Sequence, residues 1–275
     1  MKKFIGASIV LIILLAAIVA ISGCTTPTPT ATPSVTPTPA PSANYTLLTP
    51  GKLSIATEAH YPPFENINAT TGAYEGFDID LMNEIGKELG LEVVYTDHAF
   101  DTIITAIQTK KFDAAISAFT ITGDRQKMID FTDWYYESLG QIISVKPDNT
   151  AIKNGSDLAG KKVGVQLGTV GEMAVRNITG VNAEDVKSYA SMNEAFMALK
   201  KGEVEAVVGD HPVSYPYIKN YPGDYKFVEE PLSEIEYFGI VVNKDNPGLT
   251  AAINQALAKI KADGRYQTIY DRWFS

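Results

Sequence analysis

One cysteine, Cys24, in 275 residues excludes an internal disulfide, so the fold has to rest on its core. Histidine is scarce too. His60, His98 and His211 are scattered without metal-ligand spacing, and the chain has no phosphate loop or nucleophile–base pair. Positive charge is in deficit, with 23 Lys and Arg against 32 Asp and Glu, a formal net charge of −9, and no basic stripe. This argues against a nucleic-acid partner, whose phosphates require clustered positive charge. After residue 23 no apolar run is long enough to span a bilayer. No metal, cofactor or catalytic residue is therefore expected.

The N-terminus is the exception to this lack of long apolar runs. Lys2 and Lys3 precede the uncharged residues 4–23, which end in Ile21-Ser22-Gly23-Cys24. A basic start, an apolar middle and small residues at the end are the layout of a secretory signal, residues 1–23. A retained membrane anchor is the rival reading. The last four residues resemble a lipobox, which implies lipidation of Cys24 after cleavage. Loss of Lys2 and Lys3 takes the net charge from −9 to −11. Residues 25–43 hold six prolines and seven threonines without apolar periodicity. They predict an extended spacer of about 3 Å per residue within a linker spanning 24–50. Both readings place the protein outside the cytoplasm, at the outer face of the membrane. Sequons at Asn44, Asn68, Asn154 and Asn177 would permit glycosylation there.

From Gly51 onward, short apolar runs alternate with helical patterns, which predicts an α/β fold with largely parallel sheets. The expected order is strand 52–57, helix 78–90, strand 91–95, helix 100–109 and strand 113–117. After Gly160 the scheme restarts with strand 162–165, helix 169–177, a strand around Val186, helix 192–200 and strand 204–209. Residues 106–117 and 198–209 both run helix, basic turn, apolar strand, so two similar lobes are expected.

Ligands of open parallel sheets bind beyond the carboxyl ends of the strands. That rule gathers Glu58, Ala118, Thr120, the segment from Gln166 through Thr169 to Val170, and Asp210 around one cleft. In Phe119-Thr120-Ile121-Thr122-Gly123-Asp124-Arg125 a guanidinium and hydroxyls meet at a strand end, a set suited to a carboxylate. Asp210 closes the apolar run 204–209 and suits an ammonium. A carboxylate at one end and an ammonium at the other describe a free amino acid.

Several stretches together resemble the polar amino-acid family of solute-binding proteins of ABC importers. They are the stretch from Ala56 to Glu65, Gly76-Phe77-Asp78-Ile79-Asp80-Leu81, Thr120 to Arg125, Ile129 to Tyr136, Val163 to Thr169, and the ending Gly264 to Phe274. The resemblance covers about Lys52 to Phe274. It implies a two-lobed, type II periplasmic-binding-protein-like fold, with lobe 1 formed by 51–141 and 239–275 and lobe 2 by 142–238. Crossing strands fall at 139–145 and 238–242, with Gly140 and Gly239 at the hinge. The implied partners are a free amino acid and an ABC permease with its ATPase, and a single copy is expected to act.

By the same resemblance Arg125 grips the ligand carboxylate, helped by Thr120 and by backbone donors near Ala118 and Thr169, and Asp210 holds the α-ammonium. Tyr61 and Phe100 flank the ligand side chain, with Glu58 at its end and Gln166 and Val170 beside it. Two rings and a carboxylate suit a cation, since each cation–π contact contributes about 0.5–2 kcal/mol. Arginine, lysine or histidine is the expected ligand, and glutamine is the alternative. An extracytoplasmic sensor module, or a cyclohexadienyl or arogenate dehydratase using Glu58 or Glu172 as acid, would also fit the fold.

Overall fold

The computed structural model describes residues 44–275. The expected signal segment, Cys24 and the Thr/Pro tract lie outside these residues. Among the described residues no helix is long and apolar enough to cross a membrane.

Two five-stranded sheets organise the chain. In the first, the order is Glu92–Asp97, Lys52–Thr57, Ala114–Ala115, Val241–Val242, Asp130–Phe131. The first three strands are parallel and the last two pairings antiparallel. In the second, the order is Val186–Tyr189, Val163–Gln166, Ala206–Asp210, Gln141–Val145, Lys226–Phe227, again three parallel strands followed by antiparallel pairings. The central strands are buried on both faces, which is why they read as continuous apolar runs rather than as alternation.

The helices form where the sequence supplies a face and a stop. Phe77–Leu89 buries Phe77, Ile79, Leu81, Met82 and Ile85 and ends on Gly90 in the left-handed conformation. Met192–Lys201 starts on Ser191, whose side chain accepts from the Glu194 amide, while Glu194 reaches back to the Ala190 amide. The helices Pro247–Ala262 and Arg265–Phe274 return to the first sheet's body. There Phe77 meets Tyr266, Tyr270 and Phe274 edge-on.

The structure modifies three expectations. The strand expected at 113–117 is only Ala114–Ala115, because the chain curls away towards Ala118, at φ 45°. A small sheet of His60–Tyr61, Glu65–Ile67 and Tyr74–Glu75, too short for any periodicity to show, carries Tyr61. Each expected crossing strand is broken at its glycine. Tyr136–Ser138 precedes Gly140 and Gln141–Val145, while Glu236–Phe238 precedes Gly239 and Val241–Val242. Tyr136–Ser138 and Glu236–Phe238 pair with each other, so a two-stranded ribbon stands on the two connections between the sheets.

The two glycines are there for different reasons. Gly140 has φ 81°, and a Cβ on it would run into the Glu234 carbonyl. Gly239 has no such backbone demand, but its Cβ would meet Phe131 and Ile121 side chains at 2.9–3.0 Å, which can shift. Gly140→Ala should therefore lower unfolding stability by about 2–4 kcal/mol, and Gly239→Ala by less, measured by urea titration followed by far-UV circular dichroism.

Candidate functional site

The carboxyl ends of both sets of parallel strands face one narrow cleft. Tyr61, Phe100, Ala118, Thr120, Arg125, Gln166, Thr169, Val170 and Asp210 all line it. Glu58 is one hydrogen bond removed, accepting from Gln166 Nε2 at 3.2 Å. The structure therefore brings together every residue expected around the ligand.

Arg125 comes from the short helix Gly123–Met128, whose N-cap Thr122 accepts from the Arg125 amide. Its guanidinium donates to the Thr120 carbonyl at 2.9 Å and the Gly168 carbonyl at 3.1 Å. It also lies about 5.5 Å from the rings of Phe100 and Phe119, which stack on each other. Phe100 thus supports Arg125 as well as lining the cleft. Burial pulls the Arg125 guanidinium down to about 10, still charged at neutral pH.

Asp210 ends the strand Ala206–Asp210 and stands at the N-cap position of the helix His211–Asn220, yet its side chain makes no capping bond. It turns into the cleft instead. Oδ2 accepts from the Tyr61 hydroxyl and Oδ1 from Gln141 Nε2 at 2.8 Å. Burial pushes Asp210 up to about 7, with the charge of Glu236 adding to the rise and Tyr61, Gln141 and Arg125 opposing it. Glu58 is likewise pushed up to about 7 by burial, against the bond from Gln166 and the nearby His60, 3.3 Å away.

Ala118 departs from its expected role in one respect. Its amide donates to Asp78 Oδ2 at 2.9 Å, so its carbonyl is the backbone group left for a ligand. Asp78 also accepts from the Tyr135 hydroxyl and is raised to about 6 by burial. Beside it Glu65, buried and raised by burial and by the charge of Asp78, accepts from Ser117, which in turn accepts from the Glu58 amide. Among the described residues Glu65 Oε2 and Asp78 Oδ1 have no hydrogen-bond donor, and the two carboxyls act on each other, so one proton held between them would satisfy both. This buried unit fixes the backbone from Ser117 to Ala118.

Thr169 caps the helix Val170–Arg176 and donates its hydroxyl proton to the Gln166 carbonyl. Glu172, the alternative acid, is tied to the Gly168 amide, Ser188 and Arg176. Burial works to raise it, but these bonds outweigh burial and hold it below its usual range. It orders the loop rather than facing a substrate.

Two residues escaped the sequence reading. Gln141 opens a strand that is otherwise apolar apart from Ser144, and Glu236 sits on the return crossing strand. A polar side chain at the head of a buried strand was the available signal for Gln141. Glu236 lies in a stretch that already holds Glu234 and offered no such contrast.

Comparison with known proteins follows the same geometry. The model of the bacterial extracellular solute-binding proteins, family 3, matches residues 53–275. ABC transporter arginine-binding protein 1 of Escherichia coli (strain K12) is 38% identical over 229 residues, covering 81% of this chain and 90% of that protein. An ancestral arginine-binding protein bound to arginine superposes with a TM-score of 0.77 at 44% identity, covering 82% of this chain and 99% of that one. An ancestral arginine-binding protein bound to glutamine gives 0.76 at 45% identity with the same coverage. The fold is the two-lobed α/β arrangement of these proteins.

The buried Asp78 gives the site a measurable signature. Its proton affinity is higher in the folded than in the unfolded chain, so its contribution to stability is full in acid and lost as pH rises through about 6. Asp78→Asn, which cannot ionise, should therefore be less harmful at pH 7.5 than at pH 5, by about 1–3 kcal/mol in paired urea titrations. An equal penalty at both pH values would contradict the proton-sharing arrangement.

Proposed function

The chain belongs to the bacterial extracellular solute-binding proteins of family 3, and from that premise we propose that it captures a free cationic L-amino acid, arginine foremost, and delivers it to an ABC importer. The observation that carries this reading is the pairing of Arg125 with Asp210 across one cleft, both buried and neither neutralised by the other. A ligand with a carboxylate and an ammonium satisfies both.

In this reading the ligand carboxylate turns the Arg125 fork away from the carbonyls of Thr120 and Gly168 and takes two parallel bonds. The ammonium meets Asp210 and the Ala118 carbonyl. The side chain runs past Tyr61 towards Gln166 and Glu58. The Arg125–Gly168, Tyr61–Asp210 and Gln166–Glu58 bonds each join residues attached to different sheets, so ligand and protein groups cooperate in holding the lobes together. Closure then follows from the ligand's higher affinity for the joined arrangement, with the ribbon Tyr136–Ser138 and Glu236–Phe238 as hinge. The lobes are 51–141 with 239–275, and 142–238. The chain acts as a binding protein rather than an enzyme, exported by its signal segment and anchored through Cys24 at the outer face of the membrane.

The names of the relatives support arginine, and the ancestral relative solved with glutamine supports the second reading, since an amide also donates to a carboxylate. Glu58 separates the two. Glu58→Gln should weaken arginine binding by about 10–100-fold while changing glutamine binding only a few-fold, measured by isothermal titration on residues 44–275. An unchanged arginine affinity would remove Glu58 from the side-chain slot.

Proton linkage gives a second expectation. Asp210 and Glu58 are each held near 7 before a cation arrives, so both must lose a proton to bind it. Arginine affinity should be flat above about pH 8 and fall on acidification by up to about tenfold per pH unit for each carboxylate. Glutamine should show one such step rather than two. A thermal-shift series from pH 8 to pH 5 reads both, and a flat arginine profile would refute the linkage.

A further inference from the structure

Behind the cleft wall, Gln141 and Glu236 join the two crossing strands to the ammonium end of the site. Gln141 Nε2 lies 2.8 Å from Asp210 Oδ1 and 3.0 Å from Glu236 Oε2. The same Glu236 oxygen accepts from the Thr120 hydroxyl at 3.3 Å, and Oε1 accepts from Ser233 at 2.7 Å. Ser233 in turn accepts from the Gln141 backbone N–H, and Gln141 is the register partner of Asp210 in the sheet. Neither Gln141 nor Glu236 lines the cleft.

The directions of these bonds matter. A carboxylate only accepts, so Glu236 accepts the hydrogen bond from the Thr120 hydroxyl and leaves the Thr120 oxygen as an acceptor towards the cleft. It also holds Gln141 with its amide nitrogen towards Asp210, which keeps the Asp210 carboxylate oriented and accepting. Two of the groups beside the expected ammonium are thereby set as acceptors by one residue that touches no ligand. On this inference the Thr120 hydroxyl donates to Glu236, and the ligand carboxylate is left to Arg125 and backbone donors.

Building on the proposed capture of an amino acid, we infer that Glu236, acting through Gln141 and Thr120, is a positioning residue for the α-ammonium and ties its binding to the crossing strands. The groups facing Asp210 are Tyr61, Gln141 and Arg125, with Glu236 beyond Gln141. The charge of Glu236 makes Asp210 harder to ionise, and the bond from Gln141 makes it easier. The two residues therefore pull the acid limb of binding in opposite directions, which a merely structural role would not do.

The test is arginine titration of residues 44–275 from pH 8 to pH 5 with Glu236→Gln and Gln141→Leu beside the unmodified chain. Glu236→Gln, nearly isosteric, should lower the pH 8 affinity about tenfold and move the acid limb to lower pH. Gln141→Leu should lower the affinity at least as far and move the limb to higher pH. Limbs that stay in place, or move together, in variants that bind arginine would overturn the inference and leave the site reading intact. If Gln141→Leu does not fold, the Glu236→Gln limb alone decides. An unmodified chain that bound no amino acid would bring down the site reading and this inference with it.

Discussion

The structure turns on two opposite charges buried in one cleft and kept from pairing. Arg125 and Asp210 are each 5% exposed. Removing an ion from water costs several kcal/mol even after relaxation, and direct contact between the two would offset much of that. Instead Arg125 donates to carbonyls and Asp210 accepts from a hydroxyl and an amide. Neutral partners compensate in part, and the remainder appears as a guanidinium pulled down to about 10 and a carboxyl pushed up to about 7. A zwitterion placed between them relieves both at once, which is how a small molecule could draw enough free energy from the site to hold two lobes together.

Keeping the charges apart demands rigid supports, and much of the surrounding architecture supplies them. Asp78 and Glu65 hold the turn at Ala118, and Glu172 holds the loop carrying the Gly168 carbonyl. Gly168 itself must lack a side chain, because a Cβ there would stand 2.9 Å from the Asp101 backbone across the cleft. That close approach lets a residue following Val163–Gln166 accept a bond from Arg125, which follows the other sheet. The site and its supports together contain four buried carboxyls raised by burial, Glu58 and Asp210 in the cleft and Glu65 and Asp78 behind it, and each opposes stability near neutral pH. The apolar strands and the aromatic cluster around Phe77 have to offset them.

The repeated strand–helix–strand grammar was legible because both lobes bury their central strands on two faces and cap their helices with local signals such as Gly90 and Ser191. The strand-end rule then placed Asp210 and Thr120, which opens the segment running to Arg125, in one cleft, since an α/β sheet leaves little choice about where its loops converge. What stayed hidden depends on contacts far apart in sequence. Nothing local to Ala118 shows that its amide belongs to Asp78, forty residues earlier, or that Gln141 would bridge Asp210 and Glu236. The broken crossing strands were hidden for a different reason. Residues 139–145 read as one run, and only the φ of Gly140 separates the ribbon from the sheet.

On the proposed reading, selectivity is set by the charge state of Glu58 as much as by the shape of the slot. A carboxyl held near 7 is close to half ionised at neutral pH, so it presents a carboxylate to a cation or an acid hydroxyl to a neutral amide at little difference in free energy. Gln166 adapts to either, since its amide offers both a donor and an acceptor and it already spans Glu58 and the Ala190 carbonyl. Arginine gains over glutamine only by drawing Glu58 fully into its ionised form, an advantage of about one charge-assisted bond. The preference follows from a proton on Glu58, and small changes around that carboxyl are enough to move it.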